Sequence, residues 1–314
     1  MALKRRSSSR INSTPATSSG GGVGDSKNNC NDNTKRPINS TNKKQKRNSS
    51  NGSDNNNNSS ATRKSHWSRP GVEAAARLVS LPISSSTLNS WNTALSQYEA
   101  MIRAKGNTQL YNLDQQRDRI AQQWKADSQT KQKNNKRSGM TKDELLNVII
   151  PWKFLKGKPR NALKPLLQSN TEESVIKASI LAFNHADNAT TTNNDDSQQQ
   201  QQIQNAIQSL CQLSGVGPAT ASAILSASHP QSFAFMDDEV IECLYDAKRG
   251  YTAKIYGVVN ERCVGIAREL NEVACGGDGE VGEEWTPSDV GKALWTAATM
   301  SAKNDEIGLA KVFG

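Results

Sequence analysis

From residue 87 onward, apolar positions recur at spacings of three and four, with almost no strand-like alternation. Leu88, Trp91, Leu95, Tyr98 and Ile102 form one amphipathic stripe, which predicts a helix ending near Gly106. A second helix is expected from Leu113 through Ile120 to Trp124, followed by a charged spacer from Lys125 to Gly139. Thr141-Lys142-Asp143-Glu144 reads as a capping box ahead of Leu145, Leu146, Val148 and Ile149. Pro151 and Pro159 punctuate the next stretch, and another helix is expected from near Asn170 to about His185, with Glu172 and Glu173 in its first turn. Periodicity resumes at Ile203, Ile207, Leu210 and Leu213, and later helices are expected around 219–228, 239–249, 252–274 and 287–302. The last has Thr286 as N-cap and Pro287 at its first position, where a missing N–H costs nothing. The predicted fold class is all-α. Trp91, Trp124, Trp285 and Trp295 fall on apolar stripes and are expected in the core, as are Trp152 and Phe154.

Two stretches break the pattern. Residues 1–70 are rich in Ser, Asn, Gly and Thr and hold only ten residues of the hydrophobic class, too few to offset the ordering entropy of the chain. A disordered tail is expected there. Residues 187–202, with their Asn, Thr and Asp followed by five Gln, read as a low-complexity flexible loop whose Gln end merges into the next helix. The folded part is therefore expected to span about 87–302.

Charge follows the same division. The tail carries 14 Lys/Arg against 3 Asp/Glu, so the formal +9 of the 314-residue chain is a property of residues 1–70. Its clusters Lys4-Arg5-Arg6, Lys35-Arg36 and Lys43-Lys44-Gln45-Lys46-Arg47 suit nuclear import or a nonspecific arm for nucleic acid, and a nuclear protein is expected. No run approaches the roughly 18–20 apolar residues of a membrane span, and Met1-Ala2-Leu3 leads straight into basic residues rather than the apolar core of a secretory signal. The five cysteines form no C-x-x-C pair and the three histidines no metal signature, so reduced thiols and no metal are expected. Within the folded part, residues 100–165 hold 15 basic and 5 acidic residues, with Lys153, Lys156, Lys158, Arg160 and Lys164 interleaved with Trp152 and Phe154. Such a stretch can meet phosphates or form a solvated face.

Candidate chemistry concentrates at Leu213-Ser214-Gly215-Val216-Gly217-Pro218-Ala219-Thr220. Two glycines able to adopt positive φ bracket one apolar residue, Val216, which can plug between the helices before and after. The backbone N–H groups opening the second helix would then face outward as an anion site, suited to a nucleic-acid phosphate. About twenty residues on stands Phe235-Met236-Asp237-Asp238-Glu239-Val240.

Together these residues resemble the helix-hairpin-helix DNA glycosylase superfamily, the endonuclease III-like fold; the hairpin covers about 203–228. The helical order over 87–302 more loosely resembles a eukaryotic branch of that fold. The resemblance implies binding of double-stranded DNA through the hairpin, at Gly215, Val216, Gly217, Ala219 and Thr220, with Lys156, Lys158 and Arg160 on neighbouring phosphates. It also implies an Asp opening a helix at the mouth of a base pocket: Asp237 by ungapped spacing, Asp238 by the double-Asp form of the alkyladenine group. That carboxylate would stabilise the positive charge that builds on the sugar or activate water, and Phe233 and Phe235 would line the pocket. Related hairpins hold a monovalent cation on backbone carbonyls, the one cofactor the resemblance leaves room for. Three departures bear on activity. Ala219 stands where bifunctional relatives carry a Schiff-base lysine, the iron–sulfur ligand spacing is missing, and residues 201–314 hold 8 basic against 15 acidic residues. The expectation is a monofunctional base-excision glycosylase without lyase activity. Its rival is a catalytically inactive module of the same fold that binds DNA or protein.

Overall fold

The computed structural model describes residues 72–134, 138–190, 196–245, 250–276 and 284–314, and every element among them is helical, with no strand. The tail expected at 1–70 lies outside the described residues.

The first three helices are α1 (Val72–Ser80), α2 (Ser85–Ser96) and α3 (Tyr98–Asn134). α1 begins fifteen residues before the expected start and buries Val72, Ala74, Ala75 and Leu78. Ser84 and Thr87 cap α2 reciprocally. α3 corrects two expectations, because it runs without interruption through Gly106 and through the expected break before Leu113, and continues into the stretch read as a spacer. A mid-helix glycine costs about 1 kcal/mol relative to Ala. Ile102 and Leu110, on either side of Gly106, are both fully buried, and each such side chain contributes about 1.5–3 kcal/mol. Burial outweighs propensity.

Thr141 and Glu144 form the expected capping box, Glu144 accepting the Thr141 amide at 2.7 Å. They open α4 (Lys142–Glu144), which passes through a π-helical turn (Leu145–Ile149) into α5 (Ile150–Lys156). The helix thus continues past Pro151 rather than stopping there. The amide of Ile150 bonds the Leu145 carbonyl five residues back, and this widened turn accommodates the proline that follows. α5 ends at Gly157; a short 3₁₀ turn (Asn161–Leu163) leads into α6 (Lys164–Gln168).

α7 (Glu172–Thr190) and α8 (Asp196–Cys211) pack side by side. Most of the stretch read as a loop, 187–202, is therefore helix, and only 191–195 lie outside the described residues. Its polar side chains join the two helices: Gln199 donates to the Ala189 carbonyl (3.0 Å) and Gln202 pairs with His185 (2.8 Å). α9 (Pro218–Ser228), α10 (Asp238–Leu244), α11 (Ala253–Cys275), α12 (Pro287–Ala302) and α13 (Glu306–Phe313) complete the order. Thr286 caps α12 as expected, accepting the Asp289 amide.

α12 is the central helix. It is buried on nearly all sides and contacts α1, α2, α3, α10, α11 and α13. A second group, α7, α8 and α9, joins it through α3 and α11. The core is continuous from Ala74 in α1 to Val312 in α13, so packing extends beyond the expected 87–302 at both ends. Trp91, Trp124, Trp152, Phe154, Trp285 and Trp295 are all buried in it. No helix among the described residues is long and apolar enough to cross a membrane.

Candidate functional site

The connection between α8 and α9 is a tight hairpin. The Leu213 and Val216 amides bond back three residues, each at 3.1 Å. The buried Asn170 side chain holds the turn, donating to the Ser214 carbonyl and accepting the Ser214 amide, both at 2.9 Å. Gly215 has φ +77°, and a Cβ there would meet the Leu167 side chain at 3.0 Å, so glycine is required twice over. Gly217 differs from expectation: its φ of −109° is ordinary extended backbone, and a Cβ would meet nothing within 4 Å. Val216 is buried between the helices. The amides of Thr220 and Ala221 both reach the Gly217 carbonyl at 2.9 Å, while those of Gly217 and Ala219 have no acceptor among the described residues.

A cavity of about 380 Å³ opens beside this hairpin. Gly215 through Thr220 form one wall; Lys153, Lys158 and Arg160 come from the α5 side, and Phe235, Asp237, Asp238 and Tyr251 close it. The two acids, neighbours in sequence, are differently employed. Asp237 is buried, caps α10 by accepting the Asp238 amide (3.0 Å) and forms an ion pair with Lys156, itself buried. Burial works to raise the pKa of Asp237, but the charge and hydrogen bond of Lys156 outweigh it and hold the carboxyl below the usual aspartate range. Asp238 is half-buried, in the first turn of α10, and Oδ1 accepts the Tyr251 hydroxyl at 2.5 Å. Arg160 lies over the Tyr251 ring at 5.2 Å.

Lys156 is the clearest departure from the sequence reading. Read as a surface contact for phosphate, it is instead 3% exposed, with its ammonium 4.2 Å from the Trp295 ring centre and 5.1 Å from that of Phe235. Burial pushes its pKa down, against the pull of Asp237. From this position it meets Asp237 and aromatic rings rather than the surface. Lys158 and Arg160, by contrast, are exposed at the cavity. Phe235 lines the cavity, whereas Phe233 is fully buried and packs edge-on to His229, away from it.

Three residues that sequence reasoning left without a site role belong to this region, Asn170, Glu239 and Tyr251, and Lys153, read only as one of a basic stretch, joins them. Lys153 is half-buried, and burial followed by the nearby Arg160 charge lowers its pKa. Glu239 is pushed up to about 7 by burial and by the Asp237 charge, against Lys105, whose Nζ lies 3.8 Å away. Lys153 was visible within the basic stretch; nothing in the local pattern marked Tyr251, thirteen residues past its partner.

No group of three or more His, Cys, Asp or Glu suited to a metal occurs among the described residues. At the hairpin, the carbonyls of Leu213 and Ser214 each accept one hydrogen bond and keep a second lone pair. Comparison with family models, with curated proteins and with solved structures finds no match to this chain.

Proposed function

We propose that this is a nuclear DNA-binding protein of helix-hairpin-helix glycosylase-like fold. It acts as a monofunctional base-excision glycosylase, with Asp238 as the catalytic carboxylate. One observation carries the reading: the hairpin and Asp238 line the same cavity, so a strand held at the hairpin would present an extruded nucleotide to the acid. Amides of Gly217 and Ala219 bind a backbone phosphate of double-stranded DNA, and Lys158 and Arg160 hold its neighbours. The flipped base enters the cavity past Phe235. As the N-glycosidic bond breaks, positive charge builds on the sugar and the Asp238 carboxylate stabilises it or activates the attacking water. Tyr251 orients that carboxylate through its 2.5 Å hydrogen bond. Ala219 supplies no amine at the hairpin, consistent with hydrolysis rather than an imine at that position.

The rival reading, an inactive module that binds DNA or protein, is favoured by Asp237, whose carboxylate is spent on Lys156 and on capping α10. Base release from duplexes carrying single damaged or deaminated bases separates the two. Release that is lost in Asp238→Asn supports the enzyme. Duplex binding without release from any substrate, sensitive to changes at Gly217, establishes the module instead.

A further inference from the structure

Resting on the glycosylase reading, we propose that the cavity selects a neutral base with carbonyl acceptors on its edge, donates to it from Lys153, and excludes a base carrying a fixed positive charge. Three features of the lining point this way. First, the lining leaves no uncompensated carboxylate for a cationic base: with Lys158 and Arg160 on phosphates, Lys153 still balances Asp238, and Asp237 is offset by Lys156 behind the wall. An N-alkylated, cationic purine would meet no net negative charge to offset its own, and Lys153 would repel it.

Second, both aromatic walls are already engaged by cations. Arg160 covers Tyr251 at 5.2 Å, and the Lys156 ammonium lies 5.1 Å from the centre of the Phe235 ring. A cationic base gains from an electron-rich ring only where that ring is not already polarised by another cation. A neutral base can still pack on the exposed part of Phe235.

Third, the half-buried Lys153 makes no ion pair and no hydrogen bond among the described residues, and burial lowers its pKa. Water in the open cavity can accept from this half-buried ammonium, and a base that displaces that water must replace the acceptor, which a carbonyl oxygen on its edge would do. Uracil, hypoxanthine and 8-oxoguanine carry such oxygens; 7-methylguanine carries one as well, but with a full positive charge on the ring.

The test uses the full chain and duplexes with one such base each, an undamaged duplex setting the baseline. Binding is measured on damaged nucleotides with 2′-fluoro sugars, which resist cleavage; release is measured on ordinary sugars. The expected result is tighter binding of at least one neutral base than of 7-methylguanine by about tenfold or more, the scale of one hydrogen bond to a charged group. Lys153→Met should reduce that ratio towards one, and Lys153→Arg should retain most of it. Equal or better binding of 7-methylguanine, equal binding of every duplex, or a ratio unchanged in Lys153→Met overturns the proposal, whether or not bases are released. Should Lys153→Met fail to fold, the wild-type ratio alone decides. Selective binding without release of any base would keep the selection and remove the glycosylase reading; release of 7-methylguanine as fast as the neutral bases would do the reverse.

Discussion

The Lys156 ammonium lies against the Asp237 carboxylate beneath the face of Trp295, and through this pair α5, α10 and α12 meet. Removing two charges from water is expensive, and their attraction offsets it only while both partners are present. Asp237→Asn or Lys156→Met should each destabilise the fold by about 3–5 kcal/mol, because each leaves one uncompensated buried charge. Replacing both together should cost clearly less than the sum. Chemical denaturation of the singles and the double at neutral pH measures this; additive losses would mean that the two groups do not act as a pair. Because the Asp237 pKa is depressed, its share is present above the ordinary aspartate range and disappears as pH falls through the depressed value.

Glu239, next to the pair, titrates in the opposite sense. Its carboxyl is raised from 4.5 to about 7. Between those values the folded chain keeps a proton that the unfolded chain has released, so stability falls as pH rises through that window and stays reduced above it. Glu239→Gln removes the loss. The variant should be more stable than wild type at pH 8, on the order of 2 kcal/mol after allowance for partial exposure, and nearly equal to it near pH 4.5. Melting curves at the two pH values check the sign, and an equal gain at both would show that the effect is not protonation.

The contrast between these groups and the rest of the fold shows where sequence was informative. Local rules served well where one short stretch carried the whole signal, as at Thr141 with Glu144 and Thr286 with Pro287; the stripe holding Trp91 was read as one helix, whereas α2 ends at Ser96 and α3 begins at Tyr98. The hairpin and the acids Asp237 and Asp238 were legible as candidates, and the structure gathers them around one cavity. Gly106, Pro151 and residues 187–190 were misread, because packing of Ile102 and Leu110, a widened turn at Leu145 and pairing of α7 with α8 override local preference, while the Gln run joins α8 as expected. Lys156 was misread for a different reason. Its basic neighbours Lys158 and Arg160 are exposed, whereas its partners Asp237 and Trp295 lie 81 and 139 positions away, and no local pattern encodes that meeting.

The two hairpin glycines should respond differently to the same change. Gly215→Ala forces a side chain into positive φ and into contact with Leu167, at a cost of about 1–2 kcal/mol for the backbone alone. Gly217→Ala meets open space at an ordinary φ, so its melting temperature should stay close to wild type. On the proposed reading, its added methyl stands where a phosphate approaches the amides, and duplex affinity should fall. A Gly217→Ala protein that binds duplex normally would reduce the hairpin to scaffolding.

Lys158 and Arg160 are exposed, and Lys156 is not. If the first two meet phosphates, replacing either by Ala should weaken duplex binding to a similar degree across sequences and flatten the dependence of log affinity on log salt by about one unit each. This is best measured with residues 1–70 deleted, because the tail's own positive charge would mask the change. Affinity lost entirely with the tail would place binding there instead.

Asp238 and Tyr251 provide the sharpest separation between chemistry and binding. Asp238→Asn retains the shape of the side chain but not the negative charge that an oxocarbenium-like sugar requires, so base release should fall by about 10²–10⁴-fold while duplex affinity changes little. Tyr251→Phe removes only the hydroxyl that fixes Oδ1, and Arg160 can still rest on the ring. Its effect should therefore be smaller, about tenfold in the rate of release, because the carboxylate keeps its charge and loses only its orientation. Single-turnover kinetics with enzyme in excess read this step directly, free of product dissociation. A Tyr251→Phe loss as deep as that of Asp238→Asn would instead give the hydroxyl a direct part in proton transfer, and an undiminished rate in Asp238→Asn would remove the carboxylate from the mechanism.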